Sequence, residues 1–224
     1  MAKKQNKFEK QDEQLQEVNN ALSGAGQWIE KHSKALSWCA VGIMVLAVAI
    51  LFYTRKQDAN RVDAAVENSQ NFWAYLANQF DVAADGNEEI DGFATTADSY
   101  GNQEGKLAAL FAGTCYYQLG QYEDAVEYLE KFSSNDLNFK AVAKQMLGDA
   151  YVELQDYEAA VKAFEAAADT QNEVFAPMSL KKAGIAYLKL EDNEAAHKAF
   201  ATIKEKYPTS VEAQDIDKYI ELAK

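Results

Sequence analysis

Residues 113–132 read GTCYYQLGQYEDAVEYLEKF, and the same pattern of glycine, tyrosine, alanine and a large apolar residue occurs twice more in the chain. The second copy covers residues 148–167 and the third covers residues 184–203, so the successive offsets are 35 and 36 residues. The aligned columns are Gly113, Gly148 and Gly184; Tyr116, Tyr151 and Tyr187; Ala125, Ala160 and Ala196; and Leu129, Phe164 and Phe200. Self-similarity at a period of this length is typical of repeat proteins, in which each unit buries its apolar face against the next.

Each copy predicts two antiparallel helices joined by a short polar turn. The glycine column on the first helix and the alanine column on the second remove side-chain bulk where two helix axes approach closely. The large apolar column fills the space one turn away. The turns are Leu119-Gly120-Gln121, Leu154-Gln155-Asp156 and Leu190-Glu191-Asp192. Only the first of them contains the glycine that commonly follows a helix end.

The composition agrees with a helical chain. Two prolines and eleven glycines in 224 residues are too few turn-formers for a many-stranded sandwich or barrel. We therefore predict an all-α fold. The formal net charge of -13 excludes nucleic acid as a partner, because affinity for nucleic acid depends on lysine and arginine neutralising the phosphate backbone.

Residues 35–54 read ALSWCAVGIMVLAVAILFYT and contain no charged residue. Lys34 precedes this stretch and Arg55 follows it. A helix of this length crosses the hydrocarbon core of a bilayer. Because a long polar segment precedes the apolar stretch and no small residues close it, we predict an uncleaved transmembrane signal-anchor rather than a cleaved signal peptide.

The two sides of this span differ in charge. Residues 1–34 are a short lysine-rich tail, whereas residues 55–224 are strongly acidic. The charges closest to the span do not decide the orientation, but long domains translocate regardless of them. We expect the tail inside the cell and the large domain outside, with the reversed topology left open. The tail also has the spacing of a short amphipathic helix at Phe8, Leu15, Val18 and Leu22, which is either a solvated tail or an interfacial or partner-binding helix.

Residues 55–105 precede the three repeats, which occupy residues 106–208. Apolar and small residues at a 4-3-4-3-4-3 spacing predict one stripe of a long helix: Val62, Val66, Ser69, Trp73, Leu76, Phe80 and Ala83. A second helix, from about Glu88 to Tyr100, carries Ile90, Phe93 and Ala97 on one face. We interpret this pair as a degenerate repeat that caps the solenoid.

Residues 209–224 are predicted to form the C-terminal capping helix. The run Thr209-Ser210-Val211-Glu212 has the pattern of a capping box that opens it. Ile216, Tyr219 and Ile220 are expected to face inward, with charges outward. A polar outer face is what the open end of a solenoid requires.

Motifs for catalysis or metal binding are missing from the sequence. His32 lies beside the span and His197 on an expected solvated helix face, and neither has partners at metal-ligand spacing. Cys39 lies in the span and Cys115 on a helix, so no intramolecular disulfide is expected. There is no glycine-rich phosphate loop and no nucleophile elbow. We predict no catalytic residue, no metal, no cofactor and no small-molecule substrate, so the chain is not expected to be an enzyme.

The repeat resembles the tetratricopeptide repeat (TPR) family, whose motif places a small residue, a Tyr, a Gly-containing turn, an Ala, an aromatic residue and a closing Pro at these spacings. The third copy departs from it at Asn193, and the closing proline is present only as Pro208. The resemblance implies a TPR-type α-solenoid whose first helices line the concave side. The exposed residues expected to bind a polypeptide or protein partner there are Tyr117, Gln118, Asp149, Glu153, Lys181 and Lys189. A merely solvated groove is an equally good interpretation of the same residues.

The whole arrangement is similar to YfgM-like proteins of bacterial inner membranes, with the stretches 121–132 and 215–220 similar to members from Bacteroidota. This resemblance implies a single-pass protein with a cytoplasmic N-terminus and a periplasmic repeat domain. It also implies an ancillary, chaperone-like role at the Sec translocon, beside a membrane-anchored periplasmic folding factor. A scaffold for envelope assembly or cell division and a cytoplasm-facing adaptor remain as alternatives.

Overall fold

The computed structural model describes Trp28 and residues 31–224, and the amphipathic helix predicted in the tail lies outside the described residues. The described part is all-helical and contains no strand, which confirms the predicted all-α class. Its α-helices are α1 Ser33–Leu76, α2 Phe80–Asp85, α3 Gly92–Ser99, α4 Gln103–Gln118, α5 Tyr122–Lys131, α6 Leu137–Glu153, α7 Tyr157–Ala168, α8 Phe175–Lys189, α9 Asn193–Lys206 and α10 Ile216–Leu222. A short 3-10 helix, Glu212–Gln214, precedes the last of them.

The chain divides into two compact units, residues 1–56 and 57–224. In the first unit, the large apolar side chains from Val41 to Tyr53 are exposed. One helical stretch in the described part of the chain, Ser37–Leu76 of α1, is long and apolar enough to cross a membrane, judged by its length and composition alone.

In the second unit, the part of α1 that follows residue 57 packs through a different face from the predicted one. Ala64, Asn68, Asn71 and Ala74 are buried, whereas the predicted stripe from Val62 to Leu76 is exposed. The prediction of one long helix through Ala83 was also wrong. The chain turns after Leu76, with Asn78 in the left-handed region at φ 58°, and resumes as α2 at Phe80.

The buried face of α1 is held by polar side chains. The Asn71 amide donates to Thr96 Oγ1 at 3.3 Å and its oxygen accepts from the Gly92 N–H at 3.2 Å. The Asn68 amide donates to the Glu104 carbonyl at 2.9 Å. Because these amides satisfy buried backbone and hydroxyl groups, a polar face lies inside. An apolar periodicity cannot reveal such a face.

The second helix of this region begins at Gly92 rather than near Glu88. The Asn87 side chain accepts hydrogen bonds from the N–H groups of Glu89 and Ile90, at 2.7 and 3.0 Å, which forms a turn instead of a helix. Gly92 has φ 77°, and a Cβ on it would overlap the backbone of residues 84–86. Phe93 is fully buried, with Ile90 and Ala97 packed around the same cluster.

The three repeats are formed by α4 and α5, α6 and α7, and α8 and α9. A Cβ placed on Gly113 would lie 2.6 Å from Leu129, and one placed on Gly148 would lie 2.5 Å from Phe164. The Cβ of an alanine in place of Gly184 would likewise overlap Phe200. The alanine column is fully buried at all three positions: Ala125, Ala160 and Ala196. The close approach expected from the sequence is therefore present in each helix pair.

The turns between paired helices are alike although their sequences differ. Gly120, Gln155 and Glu191 occupy the same turn position and have φ values of 75°, 61° and 60°. The second and third turns are followed by N-caps, with the Asp156 carboxylate accepting from the Ala159 N–H at 3.0 Å and the Asp192 carboxylate from the Ala195 N–H at 3.0 Å. These caps stabilise the helices that follow two strained turns.

The C-terminal segment differs from a single capped helix. Ser210 Oγ accepts from the Ala213 N–H at 3.2 Å, but the turn that it caps is the 3-10 helix, and α10 begins only at Ile216. Ile216 is buried, and Tyr219 and Ile220 pack against the cluster around Phe200, on the side that the sequence predicts.

Candidate binding surface

The first helices of the repeats, α4, α6 and α8, are joined by side-chain contacts one repeat apart. Thr114 Oγ1 contacts Met146 Sδ at 3.6 Å, and Ser179 Oγ donates to Gln145 at 3.3 Å. These contacts place the three helices side by side, so that their exposed residues form one continuous surface. We call this surface the first-helix face.

The six predicted binding residues lie on α4, α6 and α8, but only half of them are freely exposed. Gln118, Glu153 and Lys189 are exposed. Tyr117, Asp149 and Lys181 are partly buried and have contacts within the chain. Tyr117 packs against the core and its ring meets Tyr122 edge-on, with ring centroids 5.6 Å apart.

Asp149 and Lys182 form an ion pair on this face. The Lys182 ammonium donates to both Asp149 carboxylate oxygens, at 2.8 and 2.6 Å. Burial raises the pKa of Asp149 above its ordinary value, and Lys182 opposes this effect only in part. Burial also raises the pKa of Tyr117, with Asp149 and Glu153 adding to the effect because a second negative charge is unfavourable beside them.

Lys181 is bound to the C-terminal segment. Its ammonium donates to Asp215 at 2.7 Å and lies 4.6 Å from the centroid of the Tyr219 ring. The pair lowers the pKa of Asp215. The prediction that Lys181 is an exposed contact for a partner therefore needs revision, because this side chain fixes α8 to the end of the domain.

Two depressions meet along α8. A cavity of about 170 Å³ is lined by Val152, Phe164, Lys182 and Ile185, among others. A cleft of about 390 Å³ is lined by Met178, Lys182, Ile185, Val211 and Asp215, among others. Lys182 and Ile185 line both of them, so the two depressions adjoin along α8, and together we call them the α8 groove.

The α8 groove combines exposed apolar side chains with fixed charges. Ile185 is 39% exposed and Val211 is 74% exposed. The residues of the Asp149–Lys182 and Lys181–Asp215 pairs line the same two depressions. Met178 and Ile185 are first-helix residues that the repeat register identifies, but the sequence gives no reason to prefer them to the charged ones. Nothing in the sequence predicts that Val211 lines the groove, because it is marked only as an apolar residue directly after the cap Ser210.

No cluster of three or more potential metal ligands occurs among the described residues. Cys115 is fully buried, and burial raises the pKa of its thiol to about 12. A buried thiol of this kind is unreactive. His197 is exposed on α9. The prediction that the chain is not an enzyme remains a prediction.

Helix pairs stacked one on another, with the α8 groove along one of the first helices, are the architecture of a helical repeat protein. Two family models, both described as tetratricopeptide repeat, match residues 108–138 and 146–211. These two stretches are thus tetratricopeptide repeats, and such repeats act as scaffolds for protein–protein interaction.

Two solved structures of MamA are similar in fold. One, described as the crystal structure of MamA protein, has 22% sequence identity and a TM-score of 0.57, and the match covers 71% of this chain and 80% of that one. The other, described as the crystal structure of MamA, has 23% identity and a TM-score of 0.54, and the match covers 68% and 81% of the two chains. No curated protein matches the sequence. At such identities the likeness is one of fold.

Proposed function

We propose that this chain is a single-pass adaptor of a bacterial inner membrane that binds segments of other polypeptides in the α8 groove. In this proposal the repeat domain lies in the periplasm. It serves as an ancillary, chaperone-like factor of the Sec translocon, beside a membrane-anchored periplasmic folding factor. The observation that carries the proposal is the exposure of Ile185 and Val211 in depressions that two ion pairs also line.

The chemistry of the groove suits a polypeptide ligand. Exposed apolar side chains in a concave groove gain free energy when a partner covers them. The Lys182 and Asp149 charges are already positioned by each other. A polar or charged group of a ligand therefore meets prearranged charges, which determine the register in which the segment binds. The residues of α8 that line the groove extend from Met178 to Lys189, which fits an extended segment better than a compact small molecule.

The proposed anchor rests on α1. Its apolar part has the length of one bilayer span, and its side chains from Val41 to Tyr53 are exposed in the first unit. In water this surface would be costly, whereas lipid covers it without penalty. The resemblance to YfgM-like proteins supports the translocon assignment over a scaffold for envelope assembly or cell division.

Fractionation tests the anchor and the topology. We expect the full-length protein to stay in the membrane pellet after alkaline carbonate extraction. We also expect protease added to spheroplasts to digest the repeat domain. Release into the supernatant contradicts the anchor, and protection of the domain supports the reversed, cytoplasm-facing topology.

A pair of matched variants tests the groove. Ile185→Glu places a charge among the apolar residues, whereas His197→Glu places one on exposed α9 of the same repeat. After gentle co-purification of the full-length protein, we expect translocon subunits and exported polypeptides with the wild type and His197→Glu, and much less of them with Ile185→Glu. Equal recovery with both variants would show that the binding surface lies outside the groove. Tyr117→Ala is unsuitable because Tyr117 packs against the core.

A further inference from the structure

Between Val62 and Leu76, α1 exposes an apolar stripe that its own domain does not cover. Val62, Val66, Trp73 and Leu76 are 62%, 53%, 72% and 54% exposed. Ser69, in the middle of the stripe, is exposed too. We call these five residues the α1 seam.

The α1 seam has the spacing of a coiled coil. The steps of 4, 3, 4 and 3 residues place Val66 and Trp73 at a positions and Val62, Ser69 and Leu76 at d positions. No charged residue lies in the seam, while Asp63 and Glu67 lie beside it. A strict 3.5-residue period follows a second helix along its length, whereas a face buried in a globular core has the broader 3.6-residue pattern.

The opposite face of α1 already secures the helix to its domain. Asn68 and Asn71 bind Glu104, Thr96 and Gly92. Glu67 accepts hydrogen bonds from Thr96 and from the Tyr100 hydroxyl, at 3.0 and 2.8 Å. The seam therefore belongs to a preformed helix, and a partner helix that binds to it does not have to induce helix formation in α1.

We propose that the α1 seam pairs with the α1 seam of a second copy of this chain, in a parallel two-stranded coiled coil. The proposal rests on the membrane anchor of the proposed function, because two copies inserted in one membrane in the same orientation run in the same direction. Valine at an a position with leucine at a d position favours two parallel strands. The small Ser69 one turn from Trp73 leaves space for the two indole rings to pack.

The size of the seam determines the strength of this contact. Two heptads span only about 21 Å of helix. A seam this short buries less area than a stable dimer of soluble proteins does. The pairing is therefore weak in dilute solution. Confinement of both chains to one membrane raises their effective concentration and populates the dimer.

Cysteine cross-linking of the full-length protein in its membrane tests the pairing. In a Cys39→Ala background, Ser69→Cys places a thiol at a d position, where it meets the same residue of the other copy. Arg61→Cys is the matched control, because it is exposed on the same helix outside the seam. Buried Cys115 stays in place. Under mild oxidation we expect Ser69→Cys to form a covalent dimer several times faster than Arg61→Cys. The added substitution Val66→Glu should slow it about tenfold, because it brings a charge into an apolar seam.

Equal cross-linking of Ser69→Cys and Arg61→Cys would overturn the proposal. So would a disulfide between the single variants Val66→Cys and Leu76→Cys, mixed in one membrane, because that contact requires antiparallel helices. Carbonate extraction of the same membranes reports on the anchor separately. Retention in the pellet without preferential Ser69→Cys cross-linking refutes the seam alone, and release with preferential cross-linking refutes the anchor alone.

Discussion

The Tyr187 hydroxyl donates a hydrogen bond to the Glu165 carboxylate, 2.6 Å away, and so joins the third repeat to the second helix of the second repeat. The corresponding Tyr151 binds Glu130 at 2.8 Å in the same way. Tyr116 in the first repeat donates to Asp85 of α2 at 2.6 Å. The tyrosine column therefore connects successive units, in addition to filling space within each pair.

Removal of these hydroxyls should loosen the stack. We expect Tyr151→Phe and Tyr187→Phe each to lower the free energy of unfolding by about 1 kcal/mol, since each removes one hydrogen bond and leaves the ring in place. Urea denaturation measures the change. Tyr157→Phe is the control, because Tyr157 is partly buried and none of the hydrogen bonds found in the described residues involves its hydroxyl. A loss as large in the control would show that the ring environment, not the bond to glutamate, is responsible.

The same tyrosines should make the domain sensitive to alkali. Partial burial and, after it, the bonds to Glu130 and Glu165 raise the pKa of Tyr151 and Tyr187 from 10.0 to about 12. Between these values the folded chain keeps protons that the unfolded chain releases, so the free energy of unfolding falls as pH rises through this window. Stability measured as a function of pH should fall less steeply for the Tyr151→Phe/Tyr187→Phe double variant. An unchanged slope would assign the alkaline loss to other groups.

The close approach of paired helices predicts a large effect of bulk at Gly148. A leucine there would overlap the Phe164 ring, against which even a Cβ lies at 2.5 Å. We expect Gly148→Leu to lower stability by about 1–3 kcal/mol, the usual cost of overpacking. Gly101→Ala is the control, because nothing lies within 4 Å of a Cβ at that position. Thermal melting compares the two, and a wild-type melting temperature for Gly148→Leu would refute the repeat register.

The turns allow a stabilising substitution. Gln155 and Glu191 hold the left-handed conformation that Gly120 adopts in the first repeat. This conformation costs a residue with a side chain about 1–2 kcal/mol. Glycine avoids this cost, but its greater freedom in the unfolded chain offsets part of the gain in stability. We therefore expect Gln155→Gly to stabilise the domain by about 0.5–1 kcal/mol and the reverse change, Gly120→Gln, to destabilise it by a similar amount. If chemical denaturation shows both changes to be neutral, the claim that the left-handed conformation is strained at these turns is contradicted.

The repeat columns could be predicted from the sequence because each one reflects a local steric need. Gly148 opposite Phe164 is the clearest case. The direction of the α1 stripe could not be predicted, since periodicity marks an apolar face without saying whether the domain or another molecule covers it. Here Asn71 takes the inward position through bonds to residues more than twenty positions away.

Only part of the candidate groove could be predicted from the sequence, because a sequence pattern does not show which residues another part of the chain covers. The first-helix positions follow from the repeat register, but exposure depends on pairing between repeats. Lys181 was expected to be exposed and instead binds Asp215, a partner 34 residues further along the chain. Ile185 and Val211 line one cleft only because α8 and the C-terminal segment meet there.

Photocross-linking in living cells tests the central claim, binding of polypeptides on the first-helix face, most directly. A photoreactive amino acid is placed in the full-length protein at Ile185 in the groove, at exposed Glu153 on the same face, and at exposed His197 on α9 as the control. Binding on the first-helix face predicts the same polypeptides cross-linked from Ile185 and Glu153, and none of them from His197. Cross-linking of these species from His197 as efficiently as from Ile185, or none from either position on the first-helix face, would contradict it.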